Sequence, residues 1–207
     1  MSENQSKRLG ALLYPGFELL DTFGPLEMFG NLKGIVDVVT VAQKKGPVPS
    51  GQGPSAMADY GFDDCPPLDM LLIPGGDGTR TEVDNPVMID WLRRRVPEIS
   101  NVMTVCSGTA LLARTGLLDG RRATTNKMFF NEVAESGPRV QWVREARWVE
   151  DGKYATSSGV SAGIDMALAV IAKLIGPQVS DNLAIATEYD WHRDAAWDPF
   201  AKVHGLV

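Results

Sequence analysis

Histidine and cysteine are both scarce in this chain of 207 residues, with two of each, and several kinds of chemistry are excluded with them. Cys65 and Cys106 are too few for a disulfide scaffold and lack the spacing of metal ligands. His192 and His204 stand too far apart for a helical metal pair and have no cysteine nearby in sequence, so neither a metal nor a cofactor is expected. No apolar run is long enough to span a bilayer, and residues 1–7 read as a flexible polar tail without a signal-peptide core, which predicts a cytoplasmic protein with no membrane partner. Positive charge is short as well. Twenty Lys and Arg against 26 Asp and Glu leave a formal net charge of −6, and the one basic run, Arg93-Arg94-Arg95, closes a helix-like segment where cations suit the dipole. A nucleic-acid partner is therefore not expected, because neutralising phosphates needs clustered Lys and Arg.

What is present is an ordinary globular composition, 44% hydrophobic and 22% charged, with a length that fits one domain over residues 1–207. Short apolar runs at residues 9–14, 36–42, 68–73 and 101–105 predict buried strands. Helical segments are expected at 26–29, with Pro25 near the first turn, and at 87–92, 109–113, 127–135 and 164–175. Residues 46–64, rich in Gly, Pro, Ser and Asp, read as irregular or a minor hairpin. Residues 140–149 and 154–157 flank Asp151-Gly152 as a hairpin. Strands alternating with helices predict an α/β domain with a mainly parallel sheet, in which ligands bind beyond the carboxyl ends of the strands. Residues 189–207 form an aromatic and polar C-terminal extension, either a packed strap or a cover over the site or over a partner subunit.

The sharpest local feature is the corner at Val105-Cys106-Ser107-Gly108, where a strand-like run meets a helix-like one. A helix start offers unpaired N–H groups and partial positive charge, which predicts a lowered thiol pKa and an exposed nucleophile at an elbow. The bland alternative is a buried cysteine used as a small hydrophobe. Asp21 is placed in the loop leaving the first strand, where it either caps a turn or helix or faces a ligand. Gly75 and Gly76 close the third strand, where a backbone can approach a ligand closely. Asp21, Gly75-Gly76 and Cys106 each follow a predicted strand end, so all should meet on one sheet edge. Residues 158–163, Ser161 among them, lead into the helix expected from residue 164, whose start supplies more free amides.

The ordered set Leu13-Tyr14-Pro15, Asp21 with Gly24-Pro25, Cys65-Pro66-Pro67-Leu68-Asp69, Ile73-Pro74-Gly75-Gly76, Val105-Cys106-Ser107-Gly108, Gly116-Leu117-Leu118-Asp119-Gly120, Ala123-Thr124-Thr125 and Ser161-Ala162-Gly163-Ile164-Asp165 resembles the ThiJ/PfpI superfamily, and within it the isocyanide (isonitrile) hydratases. The resemblance implies a flavodoxin-like three-layer α/β sandwich, a homodimer, and a cysteine nucleophile elbow. It makes Cys106 the nucleophile and Asp21 the carboxyl group beside it, with amides near Gly76 and Ser107 and the Ser107 hydroxyl around a small-molecule substrate. The hydratase pattern carries His after Thr-Thr, where this chain has Asn126, which cannot titrate. Other branches of the superfamily place His directly after the cysteine or rely on a Cys-His-Glu triad. Here Ser107 follows Cys106 and no His lies in Ser161-Ala162-Gly163, so amide hydrolysis lacks its acid unless His192 or His204 folds back.

The implied activity is that of a cysteine-dependent lyase adding water to an isocyanide to give an N-substituted formamide. Its acid would be Asp21, its pKa raised by Leu19, Leu20 and Phe23. The alternative from the same superfamily is a redox or stress-response protein whose cysteine oxidises to sulfinic acid. Glyoxalase-type chemistry and ligand sensing fit less well, the first for want of Glu and His at the matching positions, the second for the acidic charge and the absence of a DNA-binding module before Val207.

Overall fold

A computed structural model describes residues 6–207. The chain begins with β1 (Lys7–Leu12), α1 (Leu19–Gly30) and β2 (Val36–Val41), followed by β3 (Gly46–Pro49), β4 (Ser55–Ala58) and β5 (Met70–Ile73). Next come α2 (Thr79–Glu82), α3 (Pro86–Arg95), β6 (Asn101–Val105), α4 (Gly108–Arg114), β7 (Arg122–Ala123), α5 (Phe130–Glu135) and β8 (Gln141–Trp142). It ends with β9 (Trp148–Asp151), β10 (Tyr154–Ser157), α6 (Ala162–Leu174), α7 (Pro177–Ala186) and α8 (Pro199–Val203). Most of the tail expected at residues 1–7 lies outside the described residues, and Lys7 already belongs to β1.

The central sheet has six strands in the order β2-β1-β5-β6-β10-β9, parallel throughout except for the antiparallel edge pair β10-β9. The central strand β5 is apolar and buried at every position because both of its faces are covered. On β5, Met70 and Leu72 face one core together with Leu26, Phe29, Met166 and Ile171 of α1 and α6. Leu71 and Ile73 face the other, with Met88, Trp91 and Leu92 of α3 and Leu111 and Leu112 of α4. The result is a three-layer α/β sandwich of flavodoxin-like type. Strand order reverses between β1 and β5, because β2 lies outside β1 and the following strands lie on its other side. The crevice above such a reversal is where ligands bind in open α/β sheets.

Several local expectations are corrected. Asp21 is not in a loop. It is the third residue of α1, which starts at Leu19 and carries Pro25 in its interior; Pro25 costs the helix one N–H bond without ending it. The helix expected over residues 127–135 starts only at Phe130. Residues 140–149 are not one strand but two short pieces, since β8 pairs with β7 and β9 with β10. The β9–β10 hairpin forms as expected, with Tyr154 opposite Asp151 so that Gly152 and Lys153 make the turn, and residues 46–59 contain the antiparallel hairpin β3-β4.

Candidate active site

Cys106 is the hinge of the elbow between β6 and α4, and its φ of 56° lies in the left-handed region that side chains other than Gly and Asn seldom occupy. Such a conformation persists only where the surroundings over-determine it. Here the Cys106 N–H points to the Ser157 and Ser158 carbonyls at 3.2 and 3.3 Å, and its own carbonyl accepts from Thr125 Oγ1 at 2.7 Å. The side chain is 6% exposed, and Asn126 Nδ2 donates to its Sγ at 3.0 Å.

Beneath the sulfur lies Asp21, fully buried. Its Oδ2 accepts from the Gly75 N–H at 2.9 Å, which ties α1 to the loop after β5. Its Oδ1 closes no hydrogen bond of standard geometry, yet the Cys106 thiol is near enough to steady the carboxylate. Gly75 is glycine for want of space, because a Cβ there would stand 2.6 Å from Ser107 Oγ and 2.9 Å from Asp21 Oδ2. The Gly76 N–H donates to Ser107 Oγ at 3.1 Å, and that hydroxyl pairs with Thr79 Oγ1 at 2.8 Å. The Gly76 amide therefore holds the Ser107 hydroxyl.

The expected lowering of the Cys106 pKa is overturned. Burial pushes the thiol well above its ordinary range, the Asp21 charge adds to this, and the Ser107 N–H and Asn126 offset only part. Burial likewise holds the Asp21 carboxyl well above the usual carboxylate range, with the Gly75 N–H pulling the other way. Leu20 and Phe23, expected to wall in Asp21, are 43% and 44% exposed. The burial of Asp21 comes from the inner face of α1, where Asp21, Thr22, Pro25 and Leu26 are buried.

Above the sulfur opens a cavity of about 970 Å³ lined by Gly76, Cys106, Ser107, Asn126 and Ser161 together with Leu20, Phe129, Phe200 and His204. Of the residues singled out from sequence, Gly75 and Asp21 lie behind this surface and the others on it. Ser161, the cap position of α6, is exposed on the wall. His204 also reaches the wall, whereas His192 stacks on Trp197 with ring centroids 4.3 Å apart, and neither hydrogen-bonds Cys106. The C-terminal extension is thus both strap and wall. The His192 N–H ties to Asp165 Oδ1 at 3.0 Å, and Trp191 and Ala195 pack on the core. Sequence reasoning missed Thr79, Thr125, Phe129 and Phe200, whose roles come from contacts distant in the chain. Among the described residues no cluster of His, Cys, Asp and Glu could hold a metal ion, and no helix is long and apolar enough to cross a membrane.

A cysteine in left-handed conformation between a parallel strand and a helix, on a buried carboxyl group at the sheet's reversal point, defines a class of flavodoxin-like cysteine-elbow proteins. The chain belongs to the DJ-1/PfpI family, whose profile matches residues 7–173. It is 32% identical over 182 residues to the isonitrile hydratase of Pseudomonas putida, covering 88% of this chain and 78% of that protein. It is 33% identical over 173 residues to the HTH-type transcriptional regulator CdhR of Pseudomonas aeruginosa, covering 82% of this chain but 51% of the regulator, so it spans about half of that relative. Among solved structures, a THiJ/PfpI family protein from Pseudomonas syringae superposes with a TM-score of 0.84 at 30% identity, covering 97% of this chain and 84% of that one.

Proposed function

We propose that this protein is an isonitrile hydratase, a lyase that adds water to the terminal carbon of an organic isocyanide and releases an N-substituted formamide. The observation that carries the proposal is the pairing of the buried Cys106 thiol with the buried Asp21 carboxyl, each with its pKa pushed up by burial, under a cavity in which no histidine contacts the sulfur. Amide hydrolysis needs an acid positioned on a leaving amine. An isocyanide carbon needs one nucleophile and one proton at the same atom, and it has no leaving group. Likeness to the Pseudomonas putida enzyme supports the same reading.

In the first step the Cys106 sulfur forms a bond to the isocyanide carbon while Asp21 gives that carbon its proton and takes the thiol proton in exchange. The product is a thioimidate on Cys106. Water then adds to the thioimidate carbon, the nitrogen gains a proton, and the C–S bond breaks to return the thiol and free the formamide. The unpaired Asp21 Oδ1 is the atom left to carry the proton. Asn126, donating to Sγ at 3.0 Å, supports the sulfur while it carries negative charge; its role is hydrogen bonding in place of the family's titrating His. The reading carries with it a cytoplasmic homodimer, which sedimentation of the purified protein tests.

The deciding experiment is formamide formation from a panel of alkyl and aryl isocyanides. Wild type should turn them over, Cys106→Ala should not, and Asp21→Asn should fall by about 10²–10⁴-fold, the range for loss of a positioned acid. Full activity in Cys106→Ala, or no isocyanide consumed by wild type, overturns the proposal.

A further inference from the structure

The cavity is far larger than a reacting N≡C group, and its outer wall is aromatic. Phe200 of α8 and His204, which follows the last residue of that helix, stand four residues apart in the chain, and both line the cavity. The opposite face of the helix holds it in place, because Ala201 is fully buried and packs with Leu206 and Phe130. Packed beside α8, Met128 and Phe129 come from a segment fixed at both ends by Lys127 and Phe130, which are 4% and 2% exposed, and both line the cavity.

The two walls share one bolt. Lys127 Nζ donates to Thr124 Oγ1, Thr125 O and Ala146 O at 2.8, 3.1 and 2.9 Å, and stands 3.0 Å from Asp198 Oδ2, with both side chains 1% exposed. Asp198 Oδ1 accepts from the Phe200 and Ala201 N–H groups at 3.0 and 3.3 Å and so caps α8. The residue before the bolt, Asn126, is the one that donates to the Cys106 sulfur. Nucleophile support and cavity wall are therefore set by one short stretch of chain. Among the described residues the rim offers no free cation. Arg80 is paired with Glu132 and Asp77 and lies over the Phe129 ring at 4.7 Å, and Arg114 is paired with Asp84, while Glu18 and Glu135 add negative charge.

Building on the hydratase reading, we infer that Phe200 and His204, set against Met128 and Phe129, receive the organic substituent of the isocyanide and select a neutral aryl group over a small alkyl one. A flat ring offers its face and edge to these side chains, whereas a methyl group leaves most of the wall wet. Phe200 and His204 lie outside residues 7–173, the part of the chain that matches the family profile, whereas Met128 and Phe129 lie within it.

The test measures kcat/KM for phenyl and methyl isocyanide, together with binding of N-phenylformamide and N-methylformamide by calorimetry or NMR, which needs no turnover. Wild type should prefer the phenyl compound in both assays. Phe200→Ala, at a half-exposed position, should lower the phenyl-to-methyl ratio by about tenfold, and Phe200→Tyr should restore it. A ratio unmoved by Phe200→Ala, or no phenyl preference in wild type, overturns the assignment. Preferential binding of the phenyl formamide without consumption of any isocyanide would sink the hydratase reading and leave the pocket standing. Hydration with an unmoved ratio would do the reverse.

Discussion

At the scale of single residues, Cys106 and Asp21 are one titrating unit. A helix terminus gives a charge about 0.3–1 kcal/mol, whereas burial can move a pKa by several units, each worth about 1.4 kcal/mol. That comparison decides against the reading made from the elbow alone, and the thiol rests protonated. Because the Asp21 charge is the second cause of the raised thiol, Asp21→Asn should bring Cys106 down toward the ordinary cysteine range without reaching it, burial remaining. The rate of iodoacetamide labelling of Cys106 against pH, followed by mass, should shift to lower pH in Asp21→Asn; an unmoved profile refutes the coupling. Stability carries the same sign. The folded Asp21 pKa lies above its unfolded value, so its contribution is fully present below about 3.8 and is lost as pH rises through the folded value. Denaturant midpoints of wild type should therefore fall relative to Asp21→Asn over that window. The sequence made legible that these two residues would meet, since each follows a strand of a parallel sheet. It anticipated the raised Asp21 carboxyl but not the raised Cys106 thiol, because the extent of burial is a property of the packed molecule.

At the scale of elements, the fold depends on how closely α4 seats on the end of β5. A Cβ at Gly108 would lie 2.4 Å from the Ile73 carbonyl oxygen and 2.5 Å from that of Pro74. Alanine gains about 1 kcal/mol of helix propensity over glycine, but these neighbours are backbone and cannot turn aside. Gly108→Ala should therefore destabilise by about 2–3 kcal/mol in urea unfolding, and a gain in stability would show that the seat is soft. Helix α8 makes a second case. Asp198→Asn keeps a capping residue at its start and leaves Lys127 buried without a counter-charge, so a loss of about 3 kcal/mol is expected in the same measurement. Apolar runs and Gly-Pro punctuation made the parallel strands readable. Two starts were missed for identifiable reasons: Pro25 suggested a helix beginning there, although α1 begins six residues earlier, and Asp198-Pro199, a cap followed by proline, was absorbed into a description of the tail as aromatic.

At the scale of the whole molecule, shape alone does not assign chemistry, because relatives of this chain include an isonitrile hydratase and an HTH-type transcriptional regulator. What separates the readings is the state of one sulfur in its surroundings. A redox or stress role requires a thiolate that peroxide can reach, since the thiolate is the species oxidised. Here Cys106 is 6% exposed, and burial together with the Asp21 charge pushes its thiol pKa well up. The hydratase reading tolerates that state, because its first step moves the thiol proton as the C–S bond forms. Mild peroxide at neutral pH should thus leave Cys106 of the native protein reduced over a period in which the unfolded chain is oxidised, as read by intact mass and peptide mapping. Rapid gain of two oxygens at Cys106 in the native protein would instead mark a sulfur built to be oxidised, and would move the assignment to the redox branch of the family.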